Sequence, residues 1–353
     1  MTTLRPKLLL IYNFRSSFIA KDATILSKEF TVVEFDFFAL KKWQTPLRFI
    51  AQLFFLLRHI FSAQLVVCQF AGYHSLLPLL FAKVFGKPSL IISGGTDAHY
   101  FPNIGYGNWQ KQYLKTFTAW SFRLATHIAP KHSSLMLSDY AYDSHVPTPQ
   151  GISARLHKHD LHSTVITNGY DPEKWKRTKD KKPFTFLTIS GAWEYGFQQQ
   201  LKGIDLILEV APQFPQCTFY ILGLDDFNRI PNKPENVVLL SAVKNSDLPA
   251  VYSEMSFYLQ LSMAEGFPNA LCEAMLCECV PIGSAVFSIP EIIGDTGFVL
   301  KQRSVTELAK LLDAALKADI AILGKKARQR IAENYNEEKR SQALLQLCHQ
   351  LLD

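Results

Sequence analysis

No stretch of this 353-residue chain stays apolar for the roughly 20 residues that a bilayer-spanning helix needs. The longest apolar-rich segment, 47–61, is interrupted by Arg48, Gln52, Arg58 and His59, so no transmembrane helix is expected. Met1 to Lys7 lead directly into a strand-like run with no small-residue cleavage site, which gives no sign of a secretory leader. Cysteine is sparse, with six residues at 68, 217, 272, 277, 279 and 348. The spacing of Cys272, Cys277 and Cys279 does not fit paired zinc ligands, and most of the thiols lie in apolar segments where they act as small hydrophobes. A reducing, cytoplasmic setting follows as the expectation. Also missing are a GxGxxG fingerprint after a strand and a GxxxxGK[ST] loop, which disfavours nicotinamide binding and P-loop chemistry. There is no Asp-x-Asp pair, since Asp225-Asp226 has no partner at the required spacing, and His74, His157, His159 and His162 match no metal pattern. Metal-independent chemistry is expected, with no resident cofactor.

What is present suits a folded, two-domain protein: 48% of residues are hydrophobic and 19% are charged, in a chain longer than one core usually supports. A net charge of +6 favours anionic partners such as nucleotide diphosphates or anionic lipid, while no nucleic-acid-binding motif occurs. Short apolar runs at 7–12, 31–37, 64–70 and 89–93 alternate with helical patterns, followed by the short strand THIAP, a helix from about Lys131 and a last strand at 164–167. The stretch 171–183, DPEKWKRTKDKKP, is charged and bounded by prolines and reads as a linker with little to bury. A second alternation begins at 184–190 and continues through 217–223, 236–240, 256–262, 279–284 and 297–300. Two Rossmann-like α/β domains in tandem are the simplest account, divided as 1–180 and 181–335, with a helix at 336–353 returning to the first.

The segment Ala264-Glu265-Gly266-Phe267-Pro268-Asn269-Ala270-Leu271-Cys272-Glu273 leaves a hydrophobic strand and enters a helix. Gly266 permits unusual backbone angles, Pro268 suits a first helical turn, and the free N–H groups there favour an anion such as a diphosphate. Glu265 falls at the carboxyl end of a strand, where open α/β sheets bind ligands, and Glu273 falls inside the helix. Taken alone, such a pair reads as two surface carboxylates beside a helix start, and the context decides otherwise. With EGFPNALCEAM followed by VPIGS and IPEII-x3-GFVL, the segment resembles the signature of family 4 glycosyltransferases, which have the GT-B architecture of two Rossmann-like domains facing across a cleft. HSTVITNGYD (162–171), SGAW (190–193), LKGIDLILEVAPQFP (201–215) and ILG (221–223) extend the resemblance over most of 160–335.

The resemblance implies transfer of a sugar from a nucleotide-diphosphate donor, a UDP- or GDP-sugar, to a glycan or lipid-linked acceptor with retention of configuration. It places Glu265 on the donor sugar's hydroxyls, Glu273 on the ribose and Lys202-Gly203 at the diphosphate, with Gly191, Gly266, Phe267, Pro268, Asn269, Ala270 and Leu271 lining the donor site. Lys202 and Glu265 carry the catalytic roles. Where the family often has Gly-Arg, this chain has Gly191-Ala192, so one diphosphate cation is missing. Arg15, in the NFRSSF loop after the first strand, is a substitute candidate. Asp97 and His99, in SGGTDAHYFP (93–102), are polar candidates for the acceptor or the cleft, although Asp97 equally suits a structural cap. An impaired relative that binds a nucleotide or glycan without turnover is the alternative reading.

One further segment is ambiguous. From Lys41 to Phe61, basic residues mix with tryptophan and phenylalanine. Either the apolar stripe packs on the first domain's core, or it meets the inner face of the cytoplasmic membrane as a peripheral contact.

Overall fold

The computed structural model describes residues 5–190, 197–224 and 226–353, without the side chains of Phe197, Gln198 and Arg229. Gly191 and Ala192, the rest of the SGAW motif beyond Ser190, and Asp225 lie outside the described residues.

The first half is a five-stranded sheet of β1 (Lys7–Tyr12), β2 (Thr31–Asp36), β3 (Leu65–Gln69), β4 (Ser89–Ser93) and β5 (His127–Pro130), in the order β2-β1-β3-β4-β5. Every pair is parallel. A parallel sheet covered on both faces needs continuous apolar strands rather than alternating ones, and Leu8, Leu9, Leu10 and Ile11 are all fully buried. The helices are α1 (Ser17–Leu26), α2 (Thr45–His59), α3 (Tyr73–Val84), α4 (Gln112–Leu124) and α5 (Ile152–Leu156).

The second half is a six-stranded parallel sheet of β6 (Lys182–Ile189), β7 (Thr218–Leu222), β8 (Val237–Leu240), β9 (Met255–Gln260), β10 (Val280–Ser284) and β11 (Phe298–Leu300). Its order is β11-β10-β9-β6-β7-β8. The helices are α6 (Phe197–Lys202), α7 (Ile204–Val210), α8 (Leu248–Glu254), α9 (Asn269–Leu276), α10 (Ile289–Ile293), α11 (Val305–Leu316), α12 (Ile320–Asn334) and α13 (Glu337–Gln350). Phe186 stacks between Phe219 and Phe257 at ring distances of 4.9 and 4.7 Å, fixing the centre of this sheet.

The expected return of the last helix is found. Leu344, Leu345, Leu347 and Cys348 of α13 share a core with Leu8, Leu10 and Ile19 of the first half. Arg340 drives the same contact electrostatically, donating through Nε and Nη2 to the two oxygens of Asp22 at 2.9 and 2.8 Å, with both side chains buried. All six cysteines are buried and unpaired.

Three local expectations are corrected. In place of a helix from Lys131 there is a single 3-10 turn at Ser133–Leu135, because the His132 side chain accepts from Ser134 N–H and the chain then leaves for a bridge between Ser138 and Gln150. The last strand, 164–167, forms no ladder. It runs along β5 through one bridge at Ser163 and hydrogen bonds from Thr164 and Ile166 N–H. The charged 171–183 stretch does bury something: Trp175 is 1% exposed, and the Arg328 guanidinium donates to the carbonyls of Pro172, Trp175 and Leu276. One aromatic residue pins a segment whose composition otherwise reads as solvated.

Candidate donor site

In the second half β6 and β9 are neighbours whose crossovers leave in opposite directions, so the crevice at their carboxyl ends is the topological switch point where ligands bind. Two predicted residues meet there. Lys202, the last residue of α6, donates to Glu265 Oε1 at 2.5 Å, although 62 residues separate them in the chain. The same oxygen accepts from Ser262 Oγ at 3.0 Å and Gln260 Nε2 at 3.1 Å, so Glu265 is held by the strand it follows. Gly203 turns the chain after Lys202 with φ of +69°, and a Cβ there would lie 2.3 Å from the Leu261 carbonyl oxygen. Only glycine satisfies both conditions, which accounts for the Lys-Gly pair.

At Gly266 the two halves meet backbone to backbone. A Cβ at this position would stand 1.7 Å from the Gly94 carbonyl oxygen, so the SGGTDAHYFP loop abuts the Glu265-Gly266 turn. Asp97 fixes that loop and does not face the cleft. It is fully buried and accepts from the N–H groups of Ala71, Gly94 and Gly95 and from Ser93 Oγ, at 3.0–3.2 Å. Burial raises its pKa against the opposing pull of these donors. The acceptor-contact reading of Asp97 is therefore replaced by the structural one.

His99 differs. It is fully buried against Phe287, with ring centres 4.0 Å apart, beside Gly95 at the Gly266 contact. Both ring nitrogens are buried and have no hydrogen-bond partner among the described residues. Desolvation depresses its pKa to about 3, so the ring is a neutral imidazole with one donor and one acceptor unspent.

Glu273, on α9, lines a small cleft of about 40 Å³ between the halves. Burial pushes its pKa up to about 7, opposed by a hydrogen bond from Tyr252 Oη at 3.3 Å and by the charges of Lys174 and Lys21. Asn269 opens α9 and accepts on one oxygen from Asn168 Nδ2 and Tyr170 Oη, at 2.9 and 2.8 Å, which ties the connector between the sheets to the helix start. Phe267 is buried against Tyr335, with ring centres 5.2 Å apart, Pro268 supplies the N-cap of α9, and Leu271 is in the core with Ala270 packed partly against it. These four shape the turn more than they offer polar atoms. Arg15 is paired with Glu34 of β2 at 3.0 Å, and no hydrogen bond or ion pair among the described residues joins it to Lys202, Glu265 or Glu273. Asp226 caps a 3-10 turn through Asn228 N–H.

Sequence reasoning missed Lys21, Lys174 and Lys131. Lys21 donates to Glu337 at 2.6 Å and Lys174 to Asn245 at 2.8 Å, and both line the Glu273 cleft. Lys131 follows β5 and is buried, with its ammonium 4.0 Å from the centre of the Phe18 ring, and desolvation lowers its pKa to about 8. The position of Lys131 just past the carboxyl end of a strand was the available signal.

Residues 171–338 match the family described as glycosyl transferases group 1. The matched segment contains Lys202, Glu265 and Glu273. A 41.2 kDa uncharacterized protein of the Klebsiella pneumoniae cps region is 32% identical over 201 residues, covering 53% of each chain. The chain spans about half or less of the length of the curated relatives it matches. In three dimensions it is similar to sucrose-phosphate synthase from Thermosynechococcus elongatus (TM-score 0.74, 15% identity, 98% of this chain and 99% of that one). It is also similar to Anabaena HepE in complex with UDP (TM-score 0.68, 14% identity, 98% and 100%). These likenesses show the two-domain GT-B fold over nearly the whole length.

If Glu273 receives hydroxyl donors from a nucleotide, its charged form binds best, because charge-assisted hydrogen bonds are the stronger ones. With its pKa raised to about 7, the charged form dominates only above that value. Nucleotide affinity should therefore rise between about pH 6 and 8 in the wild type relative to Glu273→Gln, measured by calorimetry. Parallel profiles would remove Glu273 from the site.

Proposed function

We propose that the protein is a glycosyltransferase that moves a sugar from a nucleotide-diphosphate donor to a glycan or lipid-linked acceptor, with retention of configuration. The observation that carries this reading is the Lys202–Glu265 pair at the switch point of the second sheet, within the segment that matches the group 1 family and next to the start of α9. The fold shared with a UDP complex supports it.

The donor diphosphate lies at the start of α9 and competes with Glu265 for the Lys202 ammonium. Exchange of that pair frees Glu265 to accept from the sugar hydroxyls while Lys202 neutralises the leaving diphosphate. The glycosidic bond to the diphosphate breaks as the acceptor oxygen bonds to the same face of the sugar, and the acceptor's proton passes to the departing phosphate oxygen. No enzymic nucleophile takes part. His99, with two unspent ring nitrogens beside Gly266, meets a hydroxyl of the sugar or the acceptor. Glu273 holds the ribose, and Lys21 and Lys174 add positive charge to its cleft.

The test is a thermal-shift screen over UDP-, GDP- and ADP-sugars in excess EDTA, since a ligand that binds the native state raises its apparent stability. One nucleotide class should raise the unfolding midpoint without added metal, and that donor should then be consumed with a matched acceptor. No shift with any donor would overturn the reading. A shift with no turnover on any acceptor would favour the impaired, binding-only relative.

A further inference from the structure

Between Asp36 and Asp139 the chain contains ten lysines and arginines and one acidic residue, Asp97, which is buried and bound to backbone N–H groups. Ten positive charges less one negative give this stretch a net charge of +9, above the +6 of the whole protein. The stretch includes α2, α3 and α4, and α2 differs from an ordinary surface helix in being apolar on its outer face as well as its inner one. Leu47, Ile50, Phe54, Leu57 and Phe61, spaced by 3, 4, 3 and 4 residues, form one stripe, and all five are exposed. Phe54 is 67% and Phe61 66% exposed, whereas the side turned to the protein presents Gln52 and Leu56, with Phe49 and Phe55 packed on Phe37 and Phe35. Gln52 Nε2 donates to the His74 carbonyl oxygen at 2.8 Å, so this orientation is fixed by a buried hydrogen bond to α3.

The apolar surface continues past α2. Phe61 packs edge-on against Phe85 at 5.0 Å, next to exposed Leu80 and Val84 at the end of α3, and Phe49 stacks on Phe117 of α4 at 6.4 Å. Trp43 and Trp120 are exposed at 65% and 52%. Lys41, Lys42, Arg58, Lys83, Lys111 and Arg123 belong to the same helices and their flanks, and among the described residues none forms an ion pair with a carboxylate. Large apolar side chains, interfacial tryptophans and unpaired cations together are what an anionic bilayer surface binds. A second copy of this face would oppose like charges, and phosphate backbones alone give no partner to the aliphatic stripe. No helix among the described residues is long and apolar enough to cross a membrane.

We propose that the α2–α3–α4 face of the first half docks on an anionic lipid bilayer, with the α2 stripe entering the interfacial layer and the flanking lysines and arginines on the lipid phosphates. This holds whether or not the cleft binds a nucleotide sugar. The test is co-sedimentation of the full chain with phosphatidylglycerol-containing and pure phosphatidylcholine vesicles, with quenching of Trp43 by brominated acyl chains as a second readout. The wild type should bind the anionic vesicles at least about tenfold better, because each basic residue near such a surface strengthens binding about fivefold. Ile50→Ser/Phe54→Ser/Leu57→Ser should weaken that binding at least about tenfold, and Lys41→Glu/Lys42→Glu/Arg58→Glu about a hundredfold or more. Both variants should keep the wild-type unfolding midpoint, since the altered residues are exposed. No vesicle binding by the wild type, equal binding by either correctly folded variant, or a dimer that the serine variant dissolves while vesicles leave it intact would each overturn the proposal.

Discussion

Lys202→Ala is expected to lower kcat by at least about a hundredfold, the scale on which loss of one preorganised electrostatic donor acts. The fold should survive, because Glu265 retains Ser262 and Gln260 as donors when the ammonium is removed. Donor affinity should fall less than kcat. Negative charge on the diphosphate grows as the sugar departs, so the cation favours the transition state over the ground state. The pairing of Lys202 with Glu265 sharpens this expectation, since the bound donor must win the ammonium from a carboxylate 2.5 Å away, which offsets part of the ground-state attraction. The measurement is kcat and donor Kd for both proteins with the donor found in the screen. Equal kcat would mean that another cation neutralises the leaving group, and Lys21, Lys174 and Lys131 would be the residues to replace next.

Arg340→Leu is expected to destabilise the protein by about 3–5 kcal/mol, the cost of removing one partner from a buried ion pair. Among the described residues Asp22 would then keep one hydrogen bond, from the Gln69 amide at 2.6 Å, and the charge of buried Lys131 nearby, in place of a directly bound cation. The same guanidinium also donates to the carbonyls of Ile166 and Thr167, so its loss frees the start of α13 and the strip beside β5 at once. Denaturant unfolding followed by fluorescence measures the effect, and Asp22→Asn in the Arg340→Leu background should recover part of the loss by removing the stranded charge. A change below about 1 kcal/mol would show that α13 is held by Leu344 and Leu347 and not by this pair.

The strands were legible because parallel, doubly covered strands are continuous apolar runs, and KLLLIY can be little else. Glu265 and Lys202 were legible as motif residues, but their contact was not. It depends on a crossover that returns the chain to the neighbouring strand, and on Gly203 adopting a left-handed turn against Leu261. Asp97 stood open between two roles because its partners are backbone N–H groups, which have no signature in sequence. His99 shows the reverse: nothing in its sequence marks a residue with two buried, unpartnered nitrogens, and only packing against Phe287 and Gly95 shows it. Lys174 was hidden in what read as a linker, and Lys21 lay unremarked in α1, so neither drew notice before the fold brought them to Glu273. The amphipathic period of α2 was plain, but a period does not say which side faces the protein. Gln52 and its bond to His74 decide that.

The claim that the second half holds a nucleotide-sugar donor is tested most directly by calorimetric titration of the wild type and Glu273→Ala with the nucleotide diphosphate of the screened donor. The wild type should bind without metal, and the variant should bind about 1–3 kcal/mol more weakly at unchanged fold, the worth of hydrogen bonds to a charged carboxylate. No heat of binding with any nucleotide diphosphate, or identical affinity for the two proteins, would contradict the account.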